Sequence, residues 1–140
     1  MRNKIAGTLS VLTVLGLLAI PLAAQNRSLK ADIPFEFTAA GKAMPAGEYE
    51  IVSTADPSGV TRLFAVDAKQ GALLVGNRIG GGENQESSRL TFNKYGNQYF
   101  LAEIWTQGQA VGRGFPMSRT ERELSRTASA RQTFTLQAKR

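Results

Sequence analysis

A chain of 140 residues, 42% hydrophobic and 20% charged, has the size and composition of one globular domain. It contains no cysteine and no histidine, which excludes disulfides, a cysteine nucleophile, a histidine-dependent triad and any zinc site built on those residues. Its net charge of +6 points toward anionic partners.

The start reads as an export signal. Arg2 and Lys4 precede the uncharged run 5–20, and Pro21, Leu22, Ala23 and Ala24 lead into the polar Gln25, Asn26 and Arg27. Residues 1–24 are therefore expected to be a cleaved signal peptide and residues 25–140 a single domain, periplasmic or extracellular. If the segment is not cleaved, its run of about 20 uncharged residues just suffices to anchor the chain in a bilayer; otherwise contact with the membrane is transient.

Residues 28–53 carry the clearest pattern. Leu29, Ala31, Ile33, Phe35 and Phe37 alternate with polar neighbours, the period of two that sends one set into a core. Pro34 lacks an amide donor, so the strand lies at a sheet edge or turns that position outward, and Gly41, Pro45 and Gly47 punctuate a return into Tyr49 and Ile51. The expectation is a β-hairpin. A third strand is read over residues 60–67, with Val60, Phe64 and Val66 on one parity. A fourth follows over residues 72–79, whose start is apolar enough to be buried on both faces and hence central.

The polar stretch 80–88 contains three consecutive glycines, but no helix N-terminus with a lysine follows, so a flexible loop is expected and not a phosphate cradle. Glu83 and Glu86 match no calcium-loop spacing. Residues 89–95 and 98–106 flank Gly96 and Asn97 and form a second expected hairpin. Strict alternation along its second strand assigns Phe100, Ala102 and Ile104 to the core. Tyr99, Leu101, Glu103 and Trp105 then share the other face. Tyr99 and Trp105 there suggest an aromatic platform of the kind that stacks on sugars or acyl chains, or else side chains covered by the C-terminal segment.

Ser118 followed by Glu121 is a capping-box signature that opens a short helix over about 118–127, and Phe134, Leu136 and Ala138 alternate along a final strand over about 132–138. This end of the chain holds the charge excess. From Gly112 onward Arg113, Arg119, Arg122, Arg126, Arg131, Lys139 and Arg140 stand against Glu121 and Glu123. A basic tail on a near-neutral body fits an anionic envelope component, a glycan or an acidic protein; a solvated segment that aids solubility is the plain alternative. Nucleic acid is not expected outside the cytoplasm.

The residues Pro34-Phe35-Glu36-Phe37, Gly41-Lys42, Pro45-Ala46-Gly47-Glu48-Tyr49, the run from Tyr95 to Trp105, and Arg119-Thr120-Glu121-Arg122-Glu123-Leu124 resemble those of a group of small exported bacterial β-domain proteins. The resemblance covers most of residues 25–140. It implies a shared β-fold and export, and brings no activity with it.

Together these readings predict an all-β domain, an antiparallel sandwich or small barrel of seven or eight strands with one short helix near the C-terminus. The functional expectation is an exported, non-catalytic module that binds a surface ligand or envelope partner. Tyr99, Glu103, Trp105, Arg113, Arg119 and Arg122 are its candidate contacts; no catalytic residue, cofactor or metal site is assigned. Two alternatives stand beside it. One is a glycosidase-like hydrolase using two of Glu36, Glu48, Glu50 and Glu103. The other is a structural assembly subunit, which would show an edge strand or an apolar patch. A further expectation places the helix over Tyr99, Glu103 and Trp105, with Arg119, Arg122 or Arg126 beside the Glu103 carboxylate.

Overall fold

The computed structural model describes residues 27–54, 58–67, 69–128 and 130–140. The expected signal peptide and its cleavage site lie outside the described residues. Among those residues are eleven strands and one helix: β1 (Arg27–Ile33), β2 (Phe37–Ala39), β3 (Lys42–Met44), β4 (Gly47–Ser53), β5 (Val60–Ala65), β6 (Gly71–Val75), β7 (Asn77–Gly80), β8 (Ser88–Tyr95), β9 (Gln98–Trp105), β10 (Val111–Gly114), α1 (Arg119–Thr127) and β11 (Gln132–Ala138). No described helix is long and apolar enough to cross a membrane.

The strands form two sheets. The first has the order β1-β4-β5-β6 and the second β11-β8-β9-β10-β7; β2 and β3 form a small hairpin set against β9. Leu29, Ile33, Tyr49, Ile51 and Leu63 of the first sheet meet Leu90, Phe92, Leu101 and Ile104 of the second in one buried cluster. The fold is thus all-β and sandwich-like, with each sheet giving its inner parity to a shared core. At one side, reciprocal backbone bonds between Lys30 and Lys139 (2.7 and 2.8 Å) tie β1 to the end of β11. At the other, the chain passes from β6 to β7 through Gly76. The sheets do not close into a barrel.

The strands of the first expected hairpin pair, with Leu29 opposite Ile51 and Ala31 opposite Tyr49. It is interrupted at Pro34. Beyond that residue the chain leaves the first sheet, and β2 and β3 turn at Ala40 (φ 51°) and Gly41 (φ 74°), the paired positive φ values of a tight two-residue hairpin. One extended element on the sequence therefore becomes two strands in different sheets, which accounts for part of the excess over seven or eight. Short pieces at β7 and β10 account for more. The second hairpin and the final strand stand where expected, and the helix starts one residue later because Ser118 is its N-cap, accepting from the Glu121 amide at 3.2 Å.

One strand assignment gains its side and one needs correction. In β5 the buried residues are Thr61, Leu63 and Ala65, so the parity shared by Val60, Phe64 and Val66 is the outward one. Pairing with β4 decides this, since Leu63 stands opposite the buried Ile51. The fourth expected strand divides at Gly76, and its first half, β6, is the last strand of the first sheet instead of a central one. Only Leu74 of its large side chains is buried.

Candidate functional site

The residues nominated from the sequence do not form one site. A β-bulge separates them: Thr91 stands opposite Glu103 but Phe92 opposite Leu101, so Ala102 is an extra residue and the alternation of β9 inverts across it. Tyr99 consequently shares the core-facing side with Leu101 and Ile104. There it stacks on Phe35, with ring centroids 3.8 Å apart and planes 14° from parallel, and meets Phe134 edge-on. Glu103 and Trp105 lie on the outer side, where the Trp105 indole donates to Glu103 Oε2 at 2.8 Å.

Trp105 is held on both flanks. Arg89 lies 5.1 Å over its ring, and a side chain at Gly112 or Gly80 would run into the indole at 2.7 or 2.8 Å. The sequence requires glycine at both positions because the ring rests on their backbone. A platform of Tyr99 and Trp105 on one face is therefore corrected to two separately packed rings, neither presenting a free flat surface for a sugar.

The basic candidates scatter as well. Arg113 is paired in register with Arg78 and both line a hollow of about 240 Å³ at the open end of the sheets. Arg119 and Arg122 are exposed on α1, where Arg119 pairs with Glu123 of its own helix at 3.3 Å. Among the described residues no helix arginine forms an ion pair with Glu103. The cation that shares its outer hollow, of about 420 Å³, is Arg131.

The helix docks through a residue the sequence reading used only as a cap. Glu121 is 4% exposed, and its Oε1 accepts from Asn93 Nδ2 at 2.8 Å and from the Tyr95 hydroxyl at 3.3 Å. The helix thus lies toward the Asn93, Tyr95 and Phe100 end of the second sheet, away from Trp105. A buried carboxylate needs such donors to offset its lost hydration. The only advance signal was the capping box, which placed Glu121 at the first turn facing back along the chain.

Burial pushes the Tyr95 hydroxyl above its ordinary value, with the Glu121 charge adding to the effect and Arg131 opposing it; burial also raises Tyr49, whose hydroxyl donates to the Pro45 carbonyl. Raised folded values mean that the native state holds its protons longer than the unfolded chain. Stability from this source is complete below about pH 10, the unfolded tyrosine value, and is lost as pH rises through the folded values, by up to about 1.4 kcal/mol per pH unit for each tyrosine. Urea melts at about pH 9 and about pH 11 are expected to show this fall, and Tyr95→Phe to make it shallower. An equal fall in the variant would show that Tyr95 contributes none of it.

The outer face of the first sheet has a different character. Its β1 and β4 half is polar, with Ser28 donating to Glu50 across the strands at 2.7 Å. Its β5 and β6 half is largely apolar around one cation: Phe64 is 47% exposed, Val66 52%, Leu73 61% and Val75 62%, and the exposed Arg62 stands on the same face opposite Leu73. The Phe64 ring covers Gly71, whose added Cβ would meet it at 2.9 Å. Beside this half, between β6, the β2 turn and the segment 115–118, lies a hollow of about 270 Å³ lined by Thr38, Leu74, Val75, Phe100, Phe115 and Met117 among others. Sequence reasoning missed this surface because an apolar run such as Ala72-Leu73-Leu74-Val75 suits a central strand, buried on both faces, or an edge strand with a sticky outer face.

Among the described residues no group of three potential metal-ligating side chains converges. Fold and surface together define a sandwich-like all-β protein with an apolar half-face at the margin of one sheet. The chain matches no family model, no curated protein and no solved structure.

Proposed function

We propose that the chain is an exported, non-catalytic β-domain that works by binding an envelope or cell-surface partner. Its contact region is the apolar half-face of β5 and β6, not the Tyr99 and Trp105 strand. The observation that carries this reading is the joint exposure of Phe64, Leu73 and Val75 around Arg62 on one side of two adjacent strands, with Val66 exposed just past the end of β5. Folded monomers rarely leave large apolar side chains contiguous in water, and where they do the patch usually meets another molecule. Export rests on the order of basic start, apolar run and small residues at the N-terminus.

A carboxylate-only hydrolase draws no support from the geometry. Glu50 accepts from Ser28 on the outer face of the first sheet, whereas Glu103 accepts from Trp105 on the outer face of the second, so these two carboxylates sit on opposite sides of the core. The exposed Arg119, Arg122 and Arg126 remain available for a secondary, electrostatic contact with anionic envelope material.

A photo-crosslinking residue placed at Leu73 in producing cells is expected to give a discrete adduct of higher mass, and the same residue at Arg122 a weak or diffuse one. Adducts confined to Arg122 or Trp105 would move the contact region to the second sheet. The absence of any adduct at all three positions would remove the binding reading.

A further inference from the structure

Resting on that reading, we propose that β6 is an acceptor edge: an extended, apolar segment of a partner protein, carrying a carboxylate at one end, adds to the first sheet as a fifth strand. The register identifies the backbone groups involved. Ala65 N–H donates to the Gln70 carbonyl at 2.8 Å and Gly76 N–H to the Gly59 carbonyl at 3.1 Å, so even-numbered residues from 70 to 76 turn their amides and carbonyls toward β5. Gly71, Leu73 and Val75 turn theirs away from it. Lys42 corroborates this, since its ammonium donates to the Gly71 carbonyl at 3.0 Å from outside the sheet.

Among the described residues β6 pairs with β5 alone. Natural edges are usually blunted by a charge, a proline or a bulge; Gly71-Ala72-Leu73-Leu74-Val75 contains none of these, and the Lys42 ammonium caps its Gly71 end alone, leaving Leu73 and Val75. An added strand meets apolar surface on both of its faces. Its outward side chains lie beside Leu73 and Val75, and its inward ones enter the 270 Å³ hollow bordered by Leu74, Val75 and Phe115. Main-chain bonds then supply affinity and alternate side chains supply selectivity.

Charge favours a foreign strand over a second copy, because Gly71-Ala72-Leu73-Leu74-Val75 itself carries no carboxylate to meet Lys42. Two β6 strands paired antiparallel about a two-fold axis at Leu73 would also have to share the Gly71 carbonyl at each end of the ladder with Lys42. Symmetric pairing would also leave the hollow unfilled, because the inward Leu74 of each copy already fills its own core. A foreign strand can pair with Leu73 and Val75 and place a carboxylate at the Gly71 end of the edge, near Lys42 and the exposed Lys69.

The test uses a fluorescein-labelled peptide of four valine–threonine pairs ending in two glutamates, titrated into the protein and read by anisotropy. Binding is expected, weakened at least about ten-fold by methylating alternate peptide amides, and equally by Leu73→Lys. That variant replaces an exposed side chain and should melt as the wild type does. A peptide ending in two lysines is expected to bind several-fold less tightly. Undiminished binding of the methylated peptide would overturn strand addition. So would a wild-type dimer in sedimentation velocity that Leu73→Lys dissolves, which would make the occupant a second copy. Absence of peptide binding up to about 1 mM with the Leu73 adduct intact would overturn strand addition while leaving the apolar half-face as the contact region; loss of both would remove the two together.

Discussion

Gly59→Ala should destabilise the protein by about 3 to 5 kcal/mol, whereas Gly41→Ala should cost about 1 to 2. The two glycines have almost the same backbone, φ +71° and +74°, so alanine pays the same left-handed penalty at each. Their surroundings differ. A Cβ at Gly59 would lie 2.2 Å from the Gly76 carbonyl oxygen, a main-chain atom with no rotamer into which to retreat, whereas nothing lies within 4 Å of a Cβ at Gly41. Gly59 also accepts the Gly76 amide at 3.1 Å, at the point where the chain leaves the first sheet for the second. Separating those backbones to admit a methyl breaks that bond and shifts β6 against β5. Urea titration of the two variants compares the effects directly. Equal losses would mean that the clash relaxes at little cost and that the Gly59–Gly76 contact does not hold the crossing.

Glu121→Ala is expected to cost about 2 to 4 kcal/mol, against a few tenths for Arg119→Ala on the same helix. Removing the carboxylate leaves the Asn93 amide and the Tyr95 hydroxyl without their shared acceptor beneath α1, and a donor stranded away from water loses its full hydration. Leu124, half-buried, is the only large apolar residue of the helix, so little else fixes it to the sheet. Glu121→Gln, which keeps one acceptor oxygen, should recover more than half of the loss. The Arg119–Glu123 pair is open to water and contributes little. Thermal melts of the three variants provide the check, and a Glu121→Ala curve matching that of Arg119→Ala would show that the helix is not held by this carboxylate.

Local signals were sufficient wherever a short-range pattern and its partner lay close in the chain. The Gly96 turn placed Tyr95 opposite Gln98, Ser118 capped the helix, and Leu29 and Ala31 met Ile51 and Tyr49 across the first hairpin. Each depends on turn chemistry, capping or period-two alternation over a few residues.

The candidate surface was not legible in the same way. Alternation along β9 assumed an unbroken pleat, but the extra residue at Ala102 reverses its parity and sends Tyr99 and Trp105 to opposite faces. No residue type at that point announces a bulge. It is revealed only by the register against β8.

The sequence by itself determined the absence of histidine and cysteine chemistry, the basic C-terminal end, the β-rich class and the helix cap, since these follow from composition and neighbouring residues. Only the tertiary structure decided that Val60, Phe64 and Val66 face outward, that β6 is an edge, and that Glu121 is buried. Those outcomes depend on which distant strands pair and in which register, and a slip of one residue exchanges the two faces of a strand while leaving its own sequence pattern unchanged.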